Sequence, residues 1–202
     1  MPLSLFLLAV LAQAPADAAP PVPTFGTTVV IPFGLRGEIY HIHKGSKHLP
    51  RFARMKPVGA IYTTTLDVPT RNFKEGFPGV TDRLEWFAID YTGRFWIQTP
   101  GIYEFELTSD DGARLYIDDR EVIDNDGEHQ PVTLRARVRL TGGIHRIHVP
   151  YFQGPQYQVA LVLKVAGPDD VDLRIFSTDE FKPPPHPEDW KYSNAGDLDN
   201  PQ

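Results

Sequence analysis

The chain predicts an all-β protein, an antiparallel β-sandwich or barrel, and three observations carry that expectation. Apolar and polar residues alternate over several short segments in the central and C-terminal parts of the sequence. Gly, Pro and Asp punctuate these segments at short intervals, and no segment sustains a helical period. The length of 202 residues fits one domain.

Residues 1–18 are expected to be a signal peptide rather than part of the fold. Leu3, Leu5 to Leu8 and Ala9 to Ala12 form an apolar stretch too short to span a bilayer comfortably. Ala16-Asp17-Ala18 then places small residues where signal peptidase reads them, which makes Ala19 the first mature residue. Met1-Pro2-Leu3-Ser4 lacks the Lys or Arg usual at the start of such a segment, so an uncleaved apolar N-terminus is the alternative. No later apolar run approaches membrane length, and a secreted, periplasmic or cell-surface location is the expectation. Residues 19–26 read as a Pro-rich linker, 27–182 as the folded domain and 183–202 as a Pro-rich polar tail, beginning Pro183-Pro184-Pro185, in which Trp190 could dock back onto the domain.

Within the domain, Thr27-Thr28-Val29-Val30-Ile31 is a β-branched run where structure should begin. Arg36 to Met55 is basic and mixed, with Gly37 and Gly45 read as turns. Ala60 to Val68 is a second β-rich run ended by Pro69, and Arg71 to Thr81 reads as a loop. Phe87, Ile89 and Tyr91 alternate, Gly93 interrupts, and Phe95 and Ile97 resume the pattern. Pro100-Gly101 turns the chain. Tyr103, Phe105 and Leu107 alternate with Glu104 and Glu106, a half-buried strand with a wet outer face. Leu115 and Ile117 follow Gly112. Leu134, Ala136, Val138 and Leu140 alternate with three arginines, and Gly142-Gly143 marks a hairpin. Ile147, Val149 and Tyr151, then Val159, Leu161, Leu163 and Val165, complete the strands, with Pro150 suggesting an edge position or a bulge. Tyr103, Phe105, Leu107, Leu115, Ile117, Val159, Leu161 and Leu163 are expected to share one buried face.

Composition excludes several classes. The absence of Cys removes disulfides, thiolate nucleophiles and Cys-based metal sites. A net charge of −6 gives a nucleic-acid partner no global electrostatic support. No nucleophile elbow, phosphate loop or His–carboxylate zinc motif occurs, so no enzymatic activity is expected.

Residues 101–117 run Gly-Ile-Tyr-Glu-Phe-Glu-Leu-Thr-Ser-Asp-Asp-Gly-Ala-Arg-Leu-Tyr-Ile, and Asp118-Asp119, Val122-Ile123-Asp124-Asn125, Leu140 to His145 and Tyr151-Phe152-Gln153 follow in order. This series resembles the PA14 family. The resemblance implies a PA14-like β-sandwich and, in sugar-binding members, an adjacent Asp pair joined by a cis peptide that holds calcium against sugar hydroxyls. Asp110 and Asp111 occupy that position as candidate calcium ligands, and Asp124 and Asn125 could line the ligand rim. The family often has an aromatic residue after the Asp-Asn pair, where this chain has Asp126. The expected function is a carbohydrate-binding module that uses calcium; the alternative is a protein-interaction or structural module of the envelope, so the partner is a glycan or a cell-surface protein.

The residues themselves leave the Asp pair open. Calcium takes several hard oxygen ligands, and two adjacent carboxylates could supply some of them. Equally, the pair could be turn chemistry, with Asp side chains accepting backbone hydrogen bonds and Gly112 supplying a positive φ. Asp124-Asn125-Asp126-Gly127 lacks EF-hand spacing, since Val122 and Thr133 would stand at its first and last ligand positions. His41, His43 and His48 lack a carboxylate to complete a metal site, and His145 shares parity with Ile147 and Val149, which points to a structural role. Trp86, Trp96 and Tyr116 could stack on sugars, although burial of at least two is expected.

Overall fold

The computed structural model describes residues 33–186, and these form two antiparallel sheets packed face to face, without closure into a barrel. The first sheet has six strands in the order β2 (Gly59–Thr63), β1 (Leu35–His41), β4 (Phe87–Ile97), β9 (Gly143–Gln153), β6 (Ala113–Ile117) and β7 (Arg120–Asn125). The second has five: β11 (Arg174–Ile175), β10 (Gln158–Ala166), β5 (Gly101–Asp110) and β8 (Val132–Leu140) in order, with β3 (Asp67–Asn72) pairing to β10 as well. The signal peptide, the linker, the β-branched run at 27–31 and Trp190 lie outside the described residues. Residues 183–186 of the expected tail are described, and Pro184 lies beside Trp96 and Ile97.

The two-residue periodicity has the cause it suggested. Tyr103, Phe105, Leu107, Leu115, Ile117, Val159, Leu161 and Leu163 all lie in one buried cluster between the sheets. Each fully buried Phe or Leu in it contributes roughly 1.5–3 kcal/mol relative to exposure. Phe95, Phe176 and Phe181 meet edge to face or stacked in the same core, so the folded chain extends through Phe181. A smaller cluster of Ile42, Ala88 and Phe152 lies on the other face of the six-stranded sheet, covered by Leu49, Phe52, Met55 and Trp86.

Several segments differ from the sequence expectation. Gly37 is not a turn but the middle of β1, where a Cβ would stand 2.6 Å from the Tyr91 ring. The run from Ala60 to Val68 is two strands, and the second continues through Pro69 to Asn72. Gly93 does not interrupt β4, which is continuous over eleven residues. Pro150 is not at an edge: β9 lies between β4 and β6. Its missing N–H falls where the β6–β9 ladder skips from Ala113–Tyr151 to Tyr116–His148, so no strand hydrogen bond is demanded of it. β8 is an edge strand, which explains why Leu134 remains 38% exposed despite perfect alternation. Among the described residues the only helical pieces are the 3-10 turns Phe52–Arg54 and Phe73–Glu75, the second closed by a capping box between Asn72 and Glu75.

Candidate functional site

The acidic pair stands where the chain passes from one sheet to the other. Asp110 is the last residue of β5 in the five-stranded sheet, and Ala113 opens β6 in the six-stranded sheet. The peptide between Asp110 and Asp111 is cis. Gly112 does not have the positive φ expected of it; it is required by space, because a Cβ there would stand 2.5 Å from the Phe152 ring and 2.6 Å from the Gly127 nitrogen.

Both carboxylates are withdrawn from water, Asp110 at 5% and Asp111 at 3% exposure. Asp111 Oδ2 accepts from the Gly154 amide at 2.7 Å, and Oδ1 accepts from the His129 amide at 3.1 Å. Gln153 Nε2 reaches Asp111 Oδ2 at 3.4 Å. Burial, then the neighbouring Asp111 charge, pushes the Asp110 carboxyl up to about 7. Burial pushes Asp111 up to about 6, opposed by the two backbone donors. Two carboxylates so placed would rather share a proton or a cation than stand doubly charged.

Asn125, the last residue of β7, joins the pair. It is buried, and its Nδ2 donates to Ser109 Oγ at 2.8 Å and to the Val132 carbonyl at 3.1 Å. These bonds use the amide's donors and leave its oxygen outside them. His129 Nε2 lies 3.0 Å from the Asn125 carbonyl, closing the 127–131 loop over the site. Asp124 goes elsewhere. It is half exposed, Arg114 Nε donates to it at 2.8 Å, and against the cost of burial that bond holds its carboxyl below the ordinary value. Thus the structure brings Asp110, Asp111 and Asn125 together and turns Asp124 to an ion pair. Asp126, at the position where an aromatic is common, accepts from the Leu49 amide at 2.8 Å and ties the 42–58 segment to this end of the sandwich.

Supporting residues were not singled out from the sequence. The wholly buried Tyr151 hydroxyl shares its one proton between the Asp110 carbonyl at 2.8 Å and Gln153 Oε1 at 2.6 Å. Gln153 in turn donates to the Gln158 carbonyl at 3.1 Å. The signal was present: Gln153 shares inward parity with Tyr151, Val149 and Ile147, and a buried glutamine at the end of a strand needs partners.

The donor set fits calcium chemically. Two carboxylates and an amide oxygen are hard oxygen ligands. Among the described residues no group of three or more His, Asp and Glu side chains could hold a metal, so an ion here would draw on amide, backbone and water oxygens as well. His41 lies 2.7 Å from Asp82 and His48 3.4 Å from Asp126, and the histidines do not converge. His145 is buried, bonded to Asp118 at 2.6 Å and to the Thr141 carbonyl at 2.9 Å, a structural arrangement. Trp96 is buried, while Trp86 and Tyr116 are half-buried; Tyr116 stacks on His148 at 5.2 Å between centroids.

A family model described as the PA14 domain matches residues 55–174. Among solved structures, the PA14 sugar-binding domain from an RTX adhesin is similar at a TM-score of 0.59 and 19% identity, covering 73% of this chain and 96% of that one. The PA14 domain of the antifreeze protein MpAFP gives 0.60 at 15% identity, with 72% and 88% covered. The epithelial adhesin 9 A domain from Candida glabrata, in complex with Galβ1-3GlcNAc, gives 0.52 at 14% identity, with 71% and 86% covered. At such identities the likeness concerns the fold. No curated protein matches the chain.

Proposed function

Because the chain belongs to the PA14 domain family, we propose that it is a non-catalytic carbohydrate-binding module that reads its ligand at the Asp110–Asp111 end of the sandwich with the help of calcium. The observation that carries this reading is the buried carboxylate pair beside the Asn125 amide. Two of the structural neighbours are described as sugar-binding or as holding a disaccharide, which supports the same reading. Asp110, Asp111 and the Asn125 side-chain oxygen would hold the ion. The ion would supply a hard positive centre that accepts sugar hydroxyl oxygens. Tyr151 and Gln153 fix the main chain and the carboxylate around it, and the His129 and Gly154 amides orient Asp111. With such a site goes an exported protein at or beyond the cell surface, where glycans are met.

One observation favours a second reading. Both Asp111 oxygens already accept backbone hydrogen bonds, so the turn is satisfied without an ion. On that reading the domain is a protein-interaction or structural module of the envelope. Calorimetric titration of chelator-treated protein with calcium, followed by a glycan array with and without calcium, separates the two. Heat, a thermal shift and calcium-dependent glycan binding support the first. No heat and no shift at millimolar calcium leave the pair as turn chemistry and favour the second.

A further inference from the structure

Beside the acidic pair the chain exposes one aromatic ring in an unusual way. Tyr157 is 74% exposed and has a φ of +145°, a value that residues with a side chain rarely adopt. Such conformations persist where the surroundings over-determine them, and they gather at ligand clamps. The surroundings here do over-determine it. The Tyr157 carbonyl accepts from the Phe73 amide at 3.2 Å, and the preceding Gln156 amide donates to Glu85 Oε1 at 2.7 Å. The next residue, Gln158, opens β10 paired to Asn72, and its carbonyl accepts from Gln153. The loop is therefore bonded on both sides of the exposed ring.

The same loop begins at the acidic pair. Gly154 donates to Asp111, and three residues of extended chain span at most about 11 Å, so Tyr157 lies within one oligosaccharide's length of it. Among the described residues no other aromatic side chain is as exposed. Trp96 is buried, Trp86 packs against the Ile42–Ala88–Phe152 cluster, and Tyr62 belongs to edge strand β2, where it bonds Arg36. Asp126 leaves the usual aromatic position of the site without a ring.

We propose that Tyr157 is the stacking platform of the carbohydrate site, taking the C–H face of a pyranose whose hydroxyls are read at Asp110 and Asp111. The inference rests on the carbohydrate-binding reading and names the residue that supplies its apolar half. A sugar ring offers an apolar face and a polar edge, and recognition needs a partner for each. A tyrosine on a pinned backbone orders only two side-chain torsions on binding, so it presents a flat surface at small entropic cost.

The test uses the full chain and four proteins: wild type, Tyr157→Ala, Tyr157→Phe and Asp111→Asn. Each is screened on an array of neutral oligosaccharides in calcium, and the strongest array glycan is then titrated calorimetrically. Tyr157→Ala is expected to weaken that glycan by at least about tenfold, the loss typical of a central aromatic anchor. Tyr157→Phe retains binding, and the calcium-induced thermal shift of Tyr157→Ala equals that of wild type. Asp111→Asn loses glycan and calcium response together. Unchanged glycan affinity in Tyr157→Ala overturns the assignment. So does equal loss in Tyr157→Phe, which would mean a hydroxyl contact, or loss of the calcium shift in Tyr157→Ala, which would mean a broken loop. A wild type that takes up calcium but no glycan overturns this inference and the carbohydrate reading while leaving the metal site standing.

Discussion

The phenol of Tyr151, wholly buried in the middle of the sandwich, donates to the main-chain carbonyl of Asp110 at 2.8 Å. The turn that carries the acidic pair is thus anchored from the opposite sheet by a residue of the core. Tyr151→Phe keeps the ring and removes the donor, leaving a buried carbonyl and Gln153 Oε1 short of a partner. Urea unfolding should show a loss of about 1–3 kcal/mol. The calcium response should weaken as well, because the Asp110 main chain loses its tether. A variant as stable as wild type, with an undiminished response, would show that the bond does not hold the turn.

Phe105 and Leu161 lie with no exposed surface in the cluster between the sheets. Truncating either to Ala should cost roughly 2–5 kcal/mol, the sum of lost transfer energy and the cavity left behind. Denaturant midpoints at unchanged slope are the measurement. A neutral Phe105→Ala would contradict the register in which β5 faces the core.

The acidic pair gives the calcium-free protein an unusual pH dependence. Asp110 and Asp111 are raised to about 7 and about 6, above the ordinary 3.8, so the folded state holds these protons more tightly than the unfolded chain does. Their contribution to stability is therefore largest on the acid side and declines as pH rises from about 4 through 7. Asp118, Glu106 and Asp124 are lowered, and what they contribute is lost as pH falls through their folded values. In chelator the thermal midpoint should peak near about pH 4, where the two windows meet at the unfolded chain's carboxylate values. Asp111→Asn should flatten the neutral limb. Scanning calorimetry that finds stability rising steadily to pH 8 would contradict the burial assigned to the pair.

Gly112→Ala should be costly although its φ is ordinary. The added methyl would overlap the Phe152 ring and the Gly127 nitrogen, and the latter belongs to backbone that cannot step aside cheaply. A loss of about 1–3 kcal/mol is expected, typical of overpacking. A thermal midpoint equal to wild type would mean that the 127–131 loop yields.

What could be read from the sequence follows from how local each cause is. The faces of β5 and β10 were legible because Phe105 or Leu163 needs only its alternating neighbours to declare a buried side. β1 was not legible: its central glycine makes room for Tyr91, a residue more than fifty positions away, and nothing in residues 36–55 records that. Pro150 misled for a related reason, since the gap that tolerates it belongs to the pairing of β6 with β9. At the candidate site the acidic pair was visible through its motif. Asn125 was named through the same motif, but the rest of the environment was not, because His129, Tyr151 and Gln153 reach the pair only after two sheets have closed. Asp124 and Asn125 are adjacent in sequence and diverge in space, as consecutive residues of a strand must.

The hydrogen bond from Asn125 to Ser109 crosses between the ends of two strands that belong to different sheets. Asp110 stands on one side of that seam, and Gln153 and Asn125 on the other. A cation held by Asp110 and Asn125 would therefore be a rivet across the open end of the sandwich rather than a passenger on one loop. Pulled from outside, the two sheets would have to strip the ion of ligands before they could shear, so the force needed to part them would rise with calcium. A module that grips its sugar through that same ion would then be mechanically strongest while it is holding on.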